Sequence, residues 1–171
     1  MLVSRGADTE AMDAESRTPL IAAAQAGHSA VVEFLLACNV DCKACDNSGN
    51  TALHWACLKN HAQTALLILG DVQGDSVVSI TNNENKMPLH IAVRNGLVDV
   101  TRALLEKHAS LTAVDNEGLT PALCCAPNQN VAQCLALILQ SLPQLAVVGD
   151  NNKGKHESME YFAFFISILI K

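Results

Sequence analysis

Four stretches of this chain carry the same residue pattern, and their starts are separated by 33, 36 and 33 residues. The starts are at Thr18, Thr51, Met87 and Thr120. An acidic or amide residue lies five positions before each start, at Asp13, Asp46, Asn82 and Asp115. A pattern held in phase over four units predicts a repeat architecture, in which each unit buries its apolar face only against its neighbours.

Each unit contains the signals for two helices. Thr followed by Pro starts the first helix, because the Thr hydroxyl caps free N–H groups and Pro suits the first turn. Gly27 and Gly96 end that helix, since glycine tolerates a left-handed conformation. An aliphatic pair such as Leu35-Leu36 then places apolar side chains on a second helix. Small residues allow neighbouring helices to approach closely at Ala23, Ala56 and Ala92.

The segments Thr51–His61 and Met87–Leu97 resemble the T-P-L-H-x-A signature of the ankyrin repeat, which also has a 33-residue period. The resemblance covers roughly residues 1–148. It implies an all-α ankyrin-repeat solenoid of helix-turn-helix units with hairpin loops, about four repeats plus a partial N-terminal one. The predicted units are the end of a truncated preceding repeat (1–12), a repeat (13–45), a repeat with a three-residue insertion (46–81), a repeat (82–114), a degenerate terminal repeat (115–148), and a linker with an apolar tail (149–171).

The start of the chain, the insertion and the last unit each carry a further expectation. Leu2-Val3 falls in register with the aliphatic pair of an earlier unit, so we expect a fragment or truncated product of a longer array. The three extra residues, within 70–81, are expected to form a tolerated surface loop, because lengthening a loop costs little. Pro127 interrupts the first helix of the last unit, and a terminal repeat is expected to be irregular.

The last units are also similar to one particular group of ankyrin proteins, the protein phosphatase 6 regulatory ankyrin repeat subunits. The similarity lies in the insertion, in the run Met87–Gly96, and in Thr120–Asn128 followed by Val131–Leu139. The Cys-Ala-Pro-Asn element within it, residues 125–128, is unusual for an ankyrin unit. This resemblance implies a non-catalytic scaffold that binds the SAPS-domain regulatory subunit and so joins the phosphatase 6 holoenzyme.

The charge and the cysteines limit the class of protein further. The formal net charge is −6, which argues against nucleic acid as a partner because phosphate binding needs a basic surface. Seven cysteines are an odd number, and residues 1–14 do not resemble a secretory signal. We therefore expect reduced thiols in a cytoplasmic or nuclear protein, without a cofactor.

Metal binding and catalysis are alternatives that the motifs raise. Cys42, Cys45, Cys57 and His61 have a spacing close to that of a zinc finger. Cys57 and His61, however, occupy repeat positions that other units fill with Ala24 and His28, so we expect no metal. His54 and His90 belong to the signature and lack a catalytic partner in the sequence. In the family this His bonds between neighbouring loops and holds the units in register.

Trp55 and the apolar run 161–170 each allow more than one structural role. We assign Trp55 to the core between repeats rather than to a ligand platform. The run 161–170 in the tail has ten apolar residues, about half the length needed to cross a bilayer core as a helix. Its alternatives are a strand that drives self-association, a cap folded over the last repeat, and a membrane anchor, which we consider unlikely. A membrane-associated or self-associating fragment is therefore the alternative function.

The predicted binding surface follows from the ankyrin register. Residues just before each Thr, and those seven and eight positions after it, are expected to face outward on the concave side of the stack. The predicted protein-binding residues are Glu15, Arg17, Gln25, Asn47, Asn50, Leu58, Lys59, Glu84, Lys86, Arg94, Asn95, Glu117 and Leu119. Among them Leu58 and Leu119, beside Arg94 and Lys59, form the expected contact strip, since Arg and apolar anchors dominate interface energetics.

Overall fold

The computed structural model describes residues 8–124 and 130–141, which form eight helices. The helices are α1 (Pro19–Ala26), α2 (Ser29–Ala37), α3 (Ala52–Leu58), α4 (Ala62–Gly70), α5 (Gly74–Val77), α6 (Pro88–Arg94), α7 (Val98–Glu106) and α8 (Val131–Ser141). Between Cys45 and Thr51 there is an isolated antiparallel bridge. The helical architecture agrees with the predicted ankyrin solenoid.

The helix ends follow the residues that the sequence places there. Thr18 accepts a hydrogen bond at its hydroxyl from the N–H of Ile21, and Pro19 occupies the first turn of α1. Gly27 ends α1 with a φ of 72°, in the left-handed region. In the second unit Asn60 holds the equivalent place with a φ of 61°, because Asn also tolerates this conformation.

A carboxylate or amide oxygen organises each hairpin loop. In the second unit Asp46 accepts hydrogen bonds at Oδ1 from the N–H groups of Ser48 and Asn50, both at 2.9 Å. The same pair of bonds is made by Asp13, Asn82 and Asp115. The residues that mark the repeat in the sequence are therefore the residues that close its turns.

Successive hairpin loops are joined by a ladder of asparagines. The main-chain N–H of Asn83 donates to the Ser48 carbonyl at 3.0 Å, and its side-chain amide donates to the Asn47 carbonyl at 3.0 Å. Asn47 and Asn116 make the corresponding pairs of bonds to their own preceding loops. Each loop is thus fixed to its neighbour by main chain and side chain together.

Signature histidines add a second link between the units. His54 is fully buried, with Nδ1 2.9 Å from the Thr51 hydroxyl and Nε2 3.0 Å from the Lys86 carbonyl of the next loop. His90 reaches the Ala113 carbonyl at 3.2 Å in the same way. The expectation that these residues bond between loops is confirmed.

The core lies between two rows of helices. One row contains α1, α3 and α6, and the other contains α2, α4, α7 and α8; each helix packs on the next in its row. The large aliphatic side chains that are fully buried in this core include Leu20, Ile21, Val32, Leu53, Ile68, Leu69, Leu89 and Leu104. Small residues at the close approaches, Ala23, Ala56 and Ala92, are buried as predicted.

The insertion in the second unit is packed, which corrects the expectation of a simple surface loop. It contains α5, whose last residue Val77 is 0% exposed, and Val78 directly after it is 1% exposed. The Gln73 side chain donates to the Val40 carbonyl at 2.9 Å and accepts from the N–H of Cys42 at 3.4 Å. These two buried valines, and the bonds of Gln73 to the preceding loop, make the insertion part of the stack.

In the fourth unit residues 121–124 form turns, with the N–H groups of Leu123 and Cys124 donating to the Thr120 carbonyl. α8 then packs against α7 as the second helix of that unit. Residues 125–129, which include Pro127, lie outside the described residues, as do residues 1–7 of the predicted partial repeat (1–12) and the tail. The exact unit boundaries stay predictions.

Candidate protein-binding surface

One face of the stack collects most of the predicted binding residues. We call it the loop face, and it consists of the hairpin loops 13–17, 46–50, 82–86 and 115–119 with the solvent side of α1, α3 and α6. Exposed members are Glu15, Asn47, Leu58, Lys59, Glu84, Arg94 and Glu117. Half-buried members are Arg17, Gln25, Lys86, Asn95 and Leu119.

Asn50 is the exception, since the expectation that it faces outward is wrong. It is only 6% exposed, and its side-chain oxygen accepts a hydrogen bond from the Asn82 amide at 3.0 Å. The residue therefore joins two loops. The Asn50 side chain is buried because the tight turn organised by Asp46 directs it toward the next loop rather than toward solvent.

Asn95 also has a structural partner that the sequence did not indicate. Its side-chain amide donates to the Cys57 carbonyl at 2.8 Å, across from α6 to the end of α3. This carbonyl also accepts from the main-chain N–H of Asn60 at 3.2 Å, so the Asn95 amide adds a link between α6 and the end of α3. The side chain of Asn95 is half-buried and already bonded within the stack.

Arg17 lies in an ion-pair cluster at the first loop. Its guanidinium is 2.7 Å from Asp13 and 3.1 Å from Glu15, and it donates to the Gln25 side chain at 3.2 Å. The hydrogen bond from Arg17 lowers the pKa of Asp13, and the same bond raises the pKa of Arg17. Three predicted binding residues therefore form one local network.

Lys86 forms the equivalent cluster between the third and fourth loops. Its ammonium is 2.8 Å from Glu84 and 3.6 Å from Glu117, and the Glu84 bond raises the pKa of Lys86. A cavity of about 280 Å³ opens beside it. Its lining residues are Lys86, Arg94, Asp115, Glu117, Leu119, Leu123 and Cys124. Four predicted residues meet here, two cationic, one acidic and one apolar.

Trp55 reaches the loop face as well as the core. It is half-buried and packs against the core, which agrees with its assignment between repeats. Its indole Nε1 donates to Asp46 Oδ2 at 2.7 Å, and the Lys59 ammonium lies 5.6 Å from the ring centroid. The sequence contains a signal that Trp55 is only half-buried. The equivalent residue of the first unit is Ala22, whose side chain is too small to cover an indole.

The buried histidine His54 and the buried cysteines Cys42 and Cys57 belong to the core of the stack. Burial lowers the pKa of His54 to about 4, so its ring is neutral at pH 7, and both of its nitrogens have partners. Burial raises the pKa of Cys57 to about 12 and that of Cys42 to about 11. Within residues 8–124 and 130–141 no three His, Cys, Asp or Glu side chains are grouped to hold a metal.

None of the helices in residues 8–124 and 130–141 combines the length and the apolar character that a bilayer span requires.

Comparison with known proteins places the chain in a family. Two models for ankyrin repeats match it, one over residues 1–77 and the other over residues 72–122. With the helical stack and its hairpin loops, these matches show that the chain belongs to the ankyrin-repeat family. Membership implies a scaffold for protein–protein interaction.

Two relatives show how far the similarity extends. The chain is 30% identical over 131 residues to the ankyrin repeat and KH domain-containing protein mask-1 of Caenorhabditis elegans, covering 74% of this chain. It is 32% identical over 91 residues to the neurogenic locus notch homolog protein 1 of Danio rerio, covering 53% of this chain. The matched regions span 5% and 4% of these relatives, respectively.

Proposed function

We propose that this chain is a non-catalytic scaffold that binds its protein partner through the loop face, in the cytoplasm or the nucleus. The observation that carries the proposal is the combination of a rigid loop ladder with a continuous set of exposed side chains. Each loop is joined to the next by two asparagine bonds, so the side chains between them are held in place before binding. Preorganisation of this kind lowers the entropy cost of association.

We further propose that the partner is the SAPS-domain regulatory subunit of protein phosphatase 6. Support for this finer assignment comes from the similarity of Met87–Gly96, Thr120–Asn128 and Val131–Leu139 to the last repeats of the phosphatase 6 ankyrin subunits. The loop face supplies the mixture of charged, amide and apolar groups found in protein interfaces. Such an interface needs no cofactor.

Isothermal titration calorimetry of the full chain with a SAPS-domain subunit tests the assignment. We expect a dissociation constant in the micromolar range or tighter. Because both cations are exposed on the loop face, the double variant Arg94→Glu, Lys59→Glu is expected to weaken binding at least tenfold. Circular dichroism at 222 nm checks that this variant keeps its helices.

The matched control reverses two cations outside the loop face. Lys43 and Arg102 are both exposed, one before the second loop and the other on α7. Lys43→Glu, Arg102→Glu changes the net charge by the same amount, and we expect it to bind as the wild type does. Absence of heat with a folded chain would reject the SAPS subunit as the partner, and equal weakening by both variants would place the contact elsewhere.

A further inference from the structure

Trp55 is fixed in position more firmly than an ordinary surface tryptophan. Its indole N–H bonds to Asp46 Oδ2 at 2.7 Å, and Asp46 is itself 8% exposed. The other oxygen of this carboxylate accepts the N–H groups of Ser48 and Asn50. The ring is therefore tied to the second hairpin loop, and a partner that contacts it loses little side-chain entropy on binding.

The neighbouring helix carries only small side chains at the equivalent positions. On α1, which packs on α3, Ala22 occupies the repeat position of Trp55, and both Ala22 and Ala26 are exposed. Leu58, on the last turn of α3, is 39% exposed. The indole and the exposed Leu58 are therefore the large apolar groups of α3 that an apolar side chain of a partner could contact.

Lys59 differs from two other cations of the loop face, Arg17 and Lys86. Arg17 and Lys86 are each within ion-pair distance of at least two carboxylates. Lys59 has its ammonium over the Trp55 ring, 5.6 Å from the centroid, and no carboxylate of residues 8–124 or 130–141 pairs with it. Arg94 holds the position equivalent to Leu58 on α6, so positive charge continues into the next unit.

We infer that Trp55, Leu58 and Lys59 form a docking point for a partner segment that carries an aspartate or glutamate next to an apolar side chain. The apolar group packs on Trp55 and Leu58, and the carboxylate pairs with the Lys59 ammonium. A basic segment fits less well, because Glu15 and Glu84 already pair with Arg17 and Lys86. This inference rests on the proposed function, since it requires that the loop face bind protein.

Selection from a phage-displayed library of random twelve-residue peptides on the full chain tests the docking point. We expect the enriched peptides to share an acidic residue within four positions of an apolar residue. Trp55 is the single tryptophan of the chain, so its fluorescence reports directly on the site. A synthetic copy of an enriched peptide should change the emission on binding, and the titration yields its dissociation constant.

Variants at Lys59 separate this inference from the wider proposal. Lys59→Glu should weaken the selected peptide about tenfold or more, and the same library selected on that variant should enrich Lys or Arg instead of acids. Lys43→Glu serves as the matched control and should leave the affinity unchanged. Because Lys59 is exposed, we expect both variants to fold, and circular dichroism at 222 nm checks this.

Two results would overturn the docking point. One is a set of enriched peptides that bind wild type and Lys59→Glu equally without changing the Trp55 emission; the scaffold function would then stand and only the site would be rejected. The other is a selection that enriches no peptide while the SAPS-domain subunit still binds. If the selected acidic peptides bind as expected and the SAPS-domain subunit does not, the docking point stands and the SAPS assignment falls.

Discussion

Stability should fall in mildly acidic solution because His54 is buried as a neutral ring. The pKa of His54 is about 4 in the folded chain, against about 6.5 for an unfolded histidine. The unfolded state therefore binds more protons between these values, and the free energy of unfolding decreases as the pH falls through 6.5 toward 4. Between pH 7 and pH 5 the loss from this residue is about 2 kcal/mol.

The variant His54→Gln isolates this contribution. Gln stays neutral over the whole range, whereas His90, whose pKa burial also lowers, remains in both chains. At pH 7 we expect the variant to be less stable than the wild type, because the bonds to Thr51 and the Lys86 carbonyl are altered. At pH 5 the difference between the two chains should shrink by about 2 kcal/mol.

Urea unfolding followed by circular dichroism at 222 nm, at pH 7, 6 and 5, measures this difference. Helical signal at the start of each titration verifies that both chains are folded. A difference in unfolding free energy that is the same at pH 7 and pH 5 would refute the reasoning. It would mean that His54 is protonated as readily in the folded chain as in the unfolded one.

Three further predictions concern single positions. Gly27→Ala should lower the free energy of unfolding by about 2 kcal/mol, because the φ of Gly27 is 72° and an added Cβ would lie 2.6 Å from the ring of His61. Gly70→Ala is the control, since the space around Gly70 is open, and the same urea titration should show no measurable loss of stability. Gln73→Ala should destabilise the chain by about 1–2 kcal/mol through its two lost bonds to the preceding loop, and an unchanged midpoint would show that the insertion does not brace the stack. Cys45, which is exposed, should react with a thiol reagent at pH 8 before urea is added, while Cys57 should react only after unfolding; equal rates in the native chain would contradict its burial.

Much of the architecture could be predicted because it depends on local chemistry repeated at a fixed interval. Thr18 and Thr51 cap helices, Gly27 ends one, and these roles need no knowledge of distant residues. The period shows that each unit packs on the next, so the histidine link between loops follows from the family pattern. The role of Trp55 is harder to predict from sequence, because its side chain contacts the core and also bonds to a hairpin loop.

Side-chain exposure on the loop face could not be predicted in the same way. Asn47 and Asn50 are both amides in one turn, and the sequence treats them alike. In the structure Asn47 remains exposed while it bonds to the loop before it, and Asn50 is buried by its bond to Asn82 of the loop after it. Which amide is covered depends on the separation of neighbouring loops, a quantity that no residue carries by itself.

The sequence alone thus determined the repeat, the helix ends and the family, because period, capping and turn chemistry are properties of short segments. Only the tertiary structure decided that Gln73 of the insertion bonds to the Val40–Cys42 loop, and that Asn50 is covered by its bond to Asn82. Those contacts join residues whose partners come from different units or different turns. Their geometry is set by how the units stack, and stacking is a property of the whole array.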